Sequence, residues 1–203
     1  MRMIRSALLA LAGVALLTSC LLFHPVAGNV ARWMVSPEPG TIYSFATTTT
    51  WQDGSEEESL ADYVVERVEE QVDGSRVVKL VDSEDSRDFY WILDNESGAI
   101  YESNDPIVDE GDLLVITSPV REDTAWSYGT GEYEIQDIRL LAAAAFGRAH
   151  DAVEVDAAFD DLPGMDLTYE WSPDCGVFIY TEDYGSDSYL HRFRRELVAI
   201  AKP

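Results

Sequence analysis

Lysine is almost missing from this chain. Only Lys79 and Lys202 occur among 203 residues, and Lys and Arg together number 14 against 38 Asp and Glu. A formal net charge of −24 excludes the usual route to nucleic acid, whose affinity comes from cations that displace counterions from phosphates. Electrostatic docking on anionic lipid head groups is excluded for the same reason. Histidine is scarce: His24, His150 and His191 stand far apart, and cysteine stops at Cys20 and Cys175, so no metal site has ligand spacing. Neither a glycine-rich phosphate loop nor a Gly-x-Ser-x-Gly elbow is present. Ser, His and Asp all occur, but no local signature joins them into a triad. No catalytic residue, metal ligand or cofactor is therefore assigned, and the chain is read as a non-enzyme. Long apolar runs are lacking too. The longest, Ala7 to Leu17, has eleven residues, about 16 Å as a helix against a hydrocarbon core of about 30 Å. Yet hydrophobic residues make up 46% and aromatics 11%, too much for a disordered acidic tail.

What is present begins with an address. Arg2 and Arg5 precede the apolar run, which ends in Leu17-Thr18-Ser19-Cys20, the layout of an export signal. These four residues resemble the lipobox of bacterial lipoproteins. The resemblance implies cleavage of residues 1–19 and attachment of lipid to Cys20. The thiol takes diacylglycerol, the new amino group takes a further palmitate-type chain, and two or more chains make a stable membrane anchor. Losing Arg2 and Arg5 leaves (14 − 2) − 38 = −26 charges. Leu21 rather than Asp follows the cysteine. By resemblance to enterobacterial sorting, this implies the outer membrane of a two-membrane cell, or otherwise the outer face of the plasma membrane. With Cys20 lipidated, Cys175 has no partner for an intramolecular disulfide and is expected to be buried.

Residues 20–39 are expected to form the lipidated N-terminus and a tether, with a short Val30/Trp33/Met34 stripe. Residues 40–203 form the body. From Thr41 on, apolar residues recur with period two, as in Tyr43, Phe45, Thr47, Thr49 and Trp51, the mark of half-buried strands. Turn signals at Asp53-Gly54, Asp73-Gly74, Asp94 to Gly98, Asp161 to Gly164, Ser172 to Gly176 and Tyr184 to Asp187 divide the chain into ten to twelve short strands. The expected fold is mainly β: one antiparallel meander, strongly curved or partly closed into a barrel. Leu140 to Phe146 is the one helical competitor, through its alanines.

A repeat of about 80 residues is visible. Thr41-Ile42-Tyr43-Ser44-Phe45 matches Thr124-Ala125-Trp126-Ser127-Tyr128, each preceded by Ser-Pro. Tyr90, Trp91, Gly98 and Ile100-Tyr101 match Tyr169, Trp171, Gly176 and Ile179-Tyr180. Duplication of a strand module would produce this, as would shared hairpin chemistry. In motif order the chain resembles a loose group of bacterial lipoproteins and secreted proteins built as antiparallel meanders. Pro37 to Phe45, Pro119 to Tyr128 and Trp171 to Val177 fill the group's conserved openings and final strand pair. Ala142 to Phe146 stands where relatives carry a Pro-Ala-Gly-aromatic stretch. Similar curved meanders occur in periplasmic lipoprotein carriers, whose concave face holds acyl chains.

Acidic clusters at Glu56 to Glu58, Asp82 to Asp88, Asp105 to Asp112 and Asp160-Asp161 offer oxygen ligands, so weak Ca2+ binding is left open. An EF-hand loop fails at Arg87, where glycine is required. Trp51, Trp91, Trp126 and Trp171 are core residues or line a groove. In His191-Arg192-Phe193-Arg194-Arg195, alternation sets Arg192 and Arg194 on one face and His191, Phe193 and Arg195 on the other. Pairing with acids on adjacent strands and docking of an anionic partner are the two readings of this cluster. The acid excess itself fits a cation-collecting surface or adaptation to high salt. The functional expectation is a lipid-anchored cell-envelope protein that works as a binding or structural module for an envelope partner. The alternative is a carrier or sensor of a hydrophobic ligand in a concave aromatic face. No ligand-binding residue is assigned.

Overall fold

The computed structural model describes residues 28–109, 112–142, 149–185 and 188–203. The leader, the lipobox and His24 lie outside them. Twelve antiparallel strands form one sheet curled into a nearly closed barrel. They are β1 (Ile42–Trp51), β2 (Glu56–Glu70), β3 (Arg76–Asp82), β4 (Asp88–Asp94), β5 (Ala99–Ser103) and β6 (Leu113–Thr117), then β7 (Ala125–Tyr128), β8 (Gly131–Ala142), β9 (Ala149–Phe159), β10 (Met165–Ser172), β11 (Gly176–Tyr184) and β12 (Leu190–Ala201). Each strand pairs with its chain neighbour except β6 with β7, while β1 pairs with β12. The repeated motif residues fall on strands six apart: Trp91 on β4 and Trp171 on β10, Ile100-Tyr101 on β5 and Ile179-Tyr180 on β11. Leu140 to Ala142 continue β8 rather than starting a helix; residues 143–148 lie outside the described set.

Alternation explains why the sheet closes on itself. In β8, Tyr133 and Ile135 are buried while Glu132, Glu134 and Gln136 are exposed. A bulge between Ile135 and Asp137 then shifts the register, so that the even-numbered Ile138 turns inward. A bulge after Val65 in β2 likewise turns Val68 toward the interior. Such bulges sharpen strand twist and curvature. Apolar side chains fill the inside and charged ones stud most of the outside, apart from a separate buried cluster of Val77, Tyr90 and Ile92 with Tyr101 and Val108 on the other face of β3–β5. That polarity is the reverse of a membrane-spanning barrel, whose apolar band faces lipid. Among the described residues no helix is long and apolar enough to cross a membrane.

The open seam lies between β6 and β7. The Tyr128 hydroxyl donates to the Asp109 carbonyl at 2.6 Å, and its ring lies 5.8 Å from that of Tyr101. From the interior, the Tyr169 hydroxyl on β10 donates to the Val115 carbonyl on β6.

One end of the barrel is plugged. The second half of the stretch read as a tether docks there, with one helical turn, α1 (Val30–Trp33), capped by the Asn29 side chain. Val30, Ala31 and Met34 are buried, and Trp33 packs on Trp171 with ring centroids 5.6 Å apart. The Val30 carbonyl accepts the Met34 N–H at 3.1 Å, but a turn this short leaves its later carbonyls without helical partners. The Arg76 guanidinium supplies donors to the Ala31 and Met34 carbonyls and to the Ser36 hydroxyl. Val35 N–H donates to the Pro173 carbonyl at 2.7 Å, and Val30 N–H to the Ser118 hydroxyl at 2.8 Å. Gly176 sits in the left-handed region at φ +75°, and a Cβ there would come within 3.1 Å of the Trp91 ring and 3.6 Å of Met34. Only glycine allows the β10–β11 turn to close over this packing. The neighbouring Cys175 is fully buried, and burial pushes its thiol up, away from reactive use.

Candidate functional site

At the end opposite α1 the described residues leave part of the interior unfilled. β5 runs from the plugged end at Ala99 to the open end at Ser103, so Glu102 comes near the mouth on the same inward face as Ile100. β12 brings Phe193 and Arg195 there, β11 Tyr180 and Glu182, β4 Phe89 and β6 Leu113. A cavity of about 330 Å3 remains between them.

Glu102 and Arg195 lie five strands apart in the sheet and meet across the interior. Their side chains are 8% and 19% exposed, with Nη2 of Arg195 3.5 Å from Oε2 of Glu102. That is long for a charge-assisted hydrogen bond, which is normally about 2.7–2.9 Å. The guanidinium is sandwiched between aromatic faces, 5.1 Å from the Phe45 centroid and 5.4 Å from that of Tyr180, a cation–π arrangement. Its Nε–H is buried with no acceptor. The indole N–H of Trp91, on the strand beside β5, faces the Glu102 carboxylate without reaching hydrogen-bond geometry. Burial raises the Glu102 carboxyl above the ordinary range, against the opposing pull of Arg195.

Glu182 at the rim accepts from the Tyr180 and Tyr184 hydroxyls, one on each oxygen at 2.6 Å. Burial and this carboxylate hold both phenols up, Tyr184 to about 12. Phe45 meets Tyr63 edge to face at 5.7 Å, and Tyr63 lies tilted against the cavity-lining Phe89 at 6.0 Å.

The acidic clusters are placed differently. Asp53, Asp73, Asp82 and Asp94 each accept the backbone N–H two residues on, the Asx-turn use of a carboxylate. On the outer face Arg139 pairs with Asp137, Glu154 and Glu170, and Lys79 with Glu66 and Asp88. A larger hollow of about 630 Å3, lined by Glu132, Glu134, Asp156 and Asp166, lies along β8–β10. Those carboxylates are exposed and spread along strands, so the smaller cavity, with its buried ions, is the better candidate. Among the described residues no group of three or more His, Cys, Asp or Glu is arranged to hold a metal ion.

The sequence-derived candidates are divided by the fold. Trp91 and Trp171 are core, Trp126 stacks on Tyr133 at 5.4 Å, and Trp51 sits beside Tyr189 at the barrel rim. In the basic cluster, Arg192 pairs with Asp183 and Arg194 with Glu196 on the outside, while Phe193 and Arg195 face the cavity. Glu102 was not singled out by sequence reasoning. Its signal is an acid in phase with Ile100 on a strand whose alternate positions are core. Compared with known proteins, the chain matches no family model and no curated protein.

Proposed function

We propose that this chain is a lipid-anchored protein of the bacterial cell envelope that works by binding, and that it binds at the open mouth of its barrel. The observation that carries the binding half is the contrast between the two ends. One end is plugged by α1 and the packed indoles of Trp33 and Trp171, while the other keeps a 330 Å3 cavity with an incompletely satisfied arginine. That volume is at the lower end of ligand sites. It favours a small ligand over the long acyl chains of a carrier with an open concave face. Binding is favoured over catalysis because the three acids at the mouth already hold partners, Glu102 the Arg195 guanidinium at 3.5 Å, Glu182 two phenols and Asp112 the Asp109 N–H. An acid–base pair needs at least one group free to meet substrate.

The lipobox resemblance at Leu17 to Cys20 supports the anchoring half. Asn29, where docking begins, is nine positions from Cys20, a reach of about 30 Å at most for an extended chain. The plugged end then faces the membrane and the mouth faces water, with a −26 body held off the lipid surface. Metabolic labelling with a palmitate analogue is expected to tag the native protein in the membrane fraction. Cys20→Ser should abolish the label and release the protein. An unlabelled native protein in the soluble fraction would contradict the anchor.

A further inference from the structure

We infer that the open-end cavity is a receptor for the carboxylate of a small aryl- or alkyl-tailed acid, with Arg195 as the anion-binding residue. The inference rests on the reading of the mouth as a binding site and names its ligand class. The unmet polar groups around the cavity are donors. Arg195 Nε–H has no acceptor, and Nη2 has only the 3.5 Å contact with Glu102. A buried donor without an acceptor is costly, and a planar guanidinium matches a carboxylate in a two-point fork. At the rim, each Glu182 oxygen already accepts one hydroxyl donor.

The tail of the ligand has its own walls. Phe89, Leu113, Tyr180 and Phe193 line the cavity, and 330 Å3 suits one ring or a short chain rather than a long acyl group. Glu102 and the rim acids Glu182 and Asp112 oppose an anion, as does the −26 body at long range. Long-range repulsion decays over about 8 Å at physiological salt, whereas contact with a buried guanidinium is screened little. Glu102 is the internal competitor: a bound carboxylate takes over the guanidinium donors that Glu102 meets only at 3.5 Å.

Calorimetric titration with a matched trio tests this: 3-phenylpropanoate, 3-phenylpropanamide and 3-phenylpropylamine. The acid should bind at least tenfold more tightly than the amide or the amine. Arg195→Gln should erase that preference, and Glu102→Gln, which removes the competing carboxylate, should tighten the acid. Thermal melts of both variants verify folding, and Arg195→Lys, which keeps the charge but not the fork, should retain part of the preference. If the amide or the amine binds at the mouth and the acid does not, the carboxylate assignment falls while the mouth remains a binding site. If none of the three binds, both readings fall.

Discussion

Replacing Arg195 by methionine is expected to destabilise the protein by about 3–5 kcal/mol at pH 7, the usual cost of stripping a buried ion of its partner. Glu102 is the residue left behind, 8% exposed in the barrel interior. Its escape is to take a proton, which costs about 1.4 kcal/mol for each pH unit above an ordinary carboxyl value of about 4.3. The loss should therefore shrink as pH falls from 7 to 5. Burial raises Glu102 in the folded state, so between its unfolded and folded values the native protein carries the extra proton and stability falls as pH rises. The parent protein follows the same sign with a shallower slope, because Arg195 opposes the shift. Asp53, Asp73, Asp85 and Asp88 have lowered values. Their contribution is lost only as pH drops below the ordinary Asp range, outside this window, and it cancels between variants. Urea unfolding at pH 5 and 7 reads the difference directly. The double variant Glu102→Gln/Arg195→Met removes both charges and should recover most of the loss. A loss that does not change with pH, or a double variant no better than Arg195→Met, would show that the pair is not coupled across the barrel.

Trp171→Ala carries the second large effect, an expected loss of about 3–5 kcal/mol from the cavity left by a large aromatic side chain. Trp171 is fully buried on β10 and contacts Trp33 of α1, so its removal empties the junction between barrel and plug. Loosening should concentrate there, and limited proteolysis should cut between residues 29 and 40 sooner than in the parent. Trp51 is the control: it lies half-buried against the exposed Tyr189. An exposed cross-strand pair of this kind is worth about 0.2–1 kcal/mol. Equal losses at the two positions in urea unfolding would contradict the plugged-end packing.

These effects separate what sequence could and could not reveal. Strand existence was legible because period-two burial is written directly in segments such as Tyr133-Glu134-Ile135. The turns were legible because Asp-Gly and Pro-Gly pairs carry their own backbone chemistry. Alternation also sorted Arg192 and Arg194 from Phe193 and Arg195. It could not say what Arg195 meets, since facing inward does not identify a partner on a strand five positions away in the sheet and 93 residues away in the chain. The closure of β1 on β12 has the same origin, as no local signal pairs the first strand with the last. The plug was half legible. Val30, Trp33 and Met34 made a visible stripe, but docking depends on Arg76, Ser118 and Pro173, all remote in sequence. Glu102 escaped notice among 38 acids, most of which serve turns and outer faces.

A ligand is expected at the unplugged mouth and not on the acidic exterior. A two-dimensional 1H–15N NMR titration with the three phenylpropyl probes in turn tests it most directly. Shifts are expected to cluster at Glu102, Leu113, Tyr180, Phe193 and Arg195, with Val30 to Met34 and Trp171 unmoved. Shifts confined to the outer hollow along β8–β10 or to the plugged end, or no shift with any probe, would contradict it.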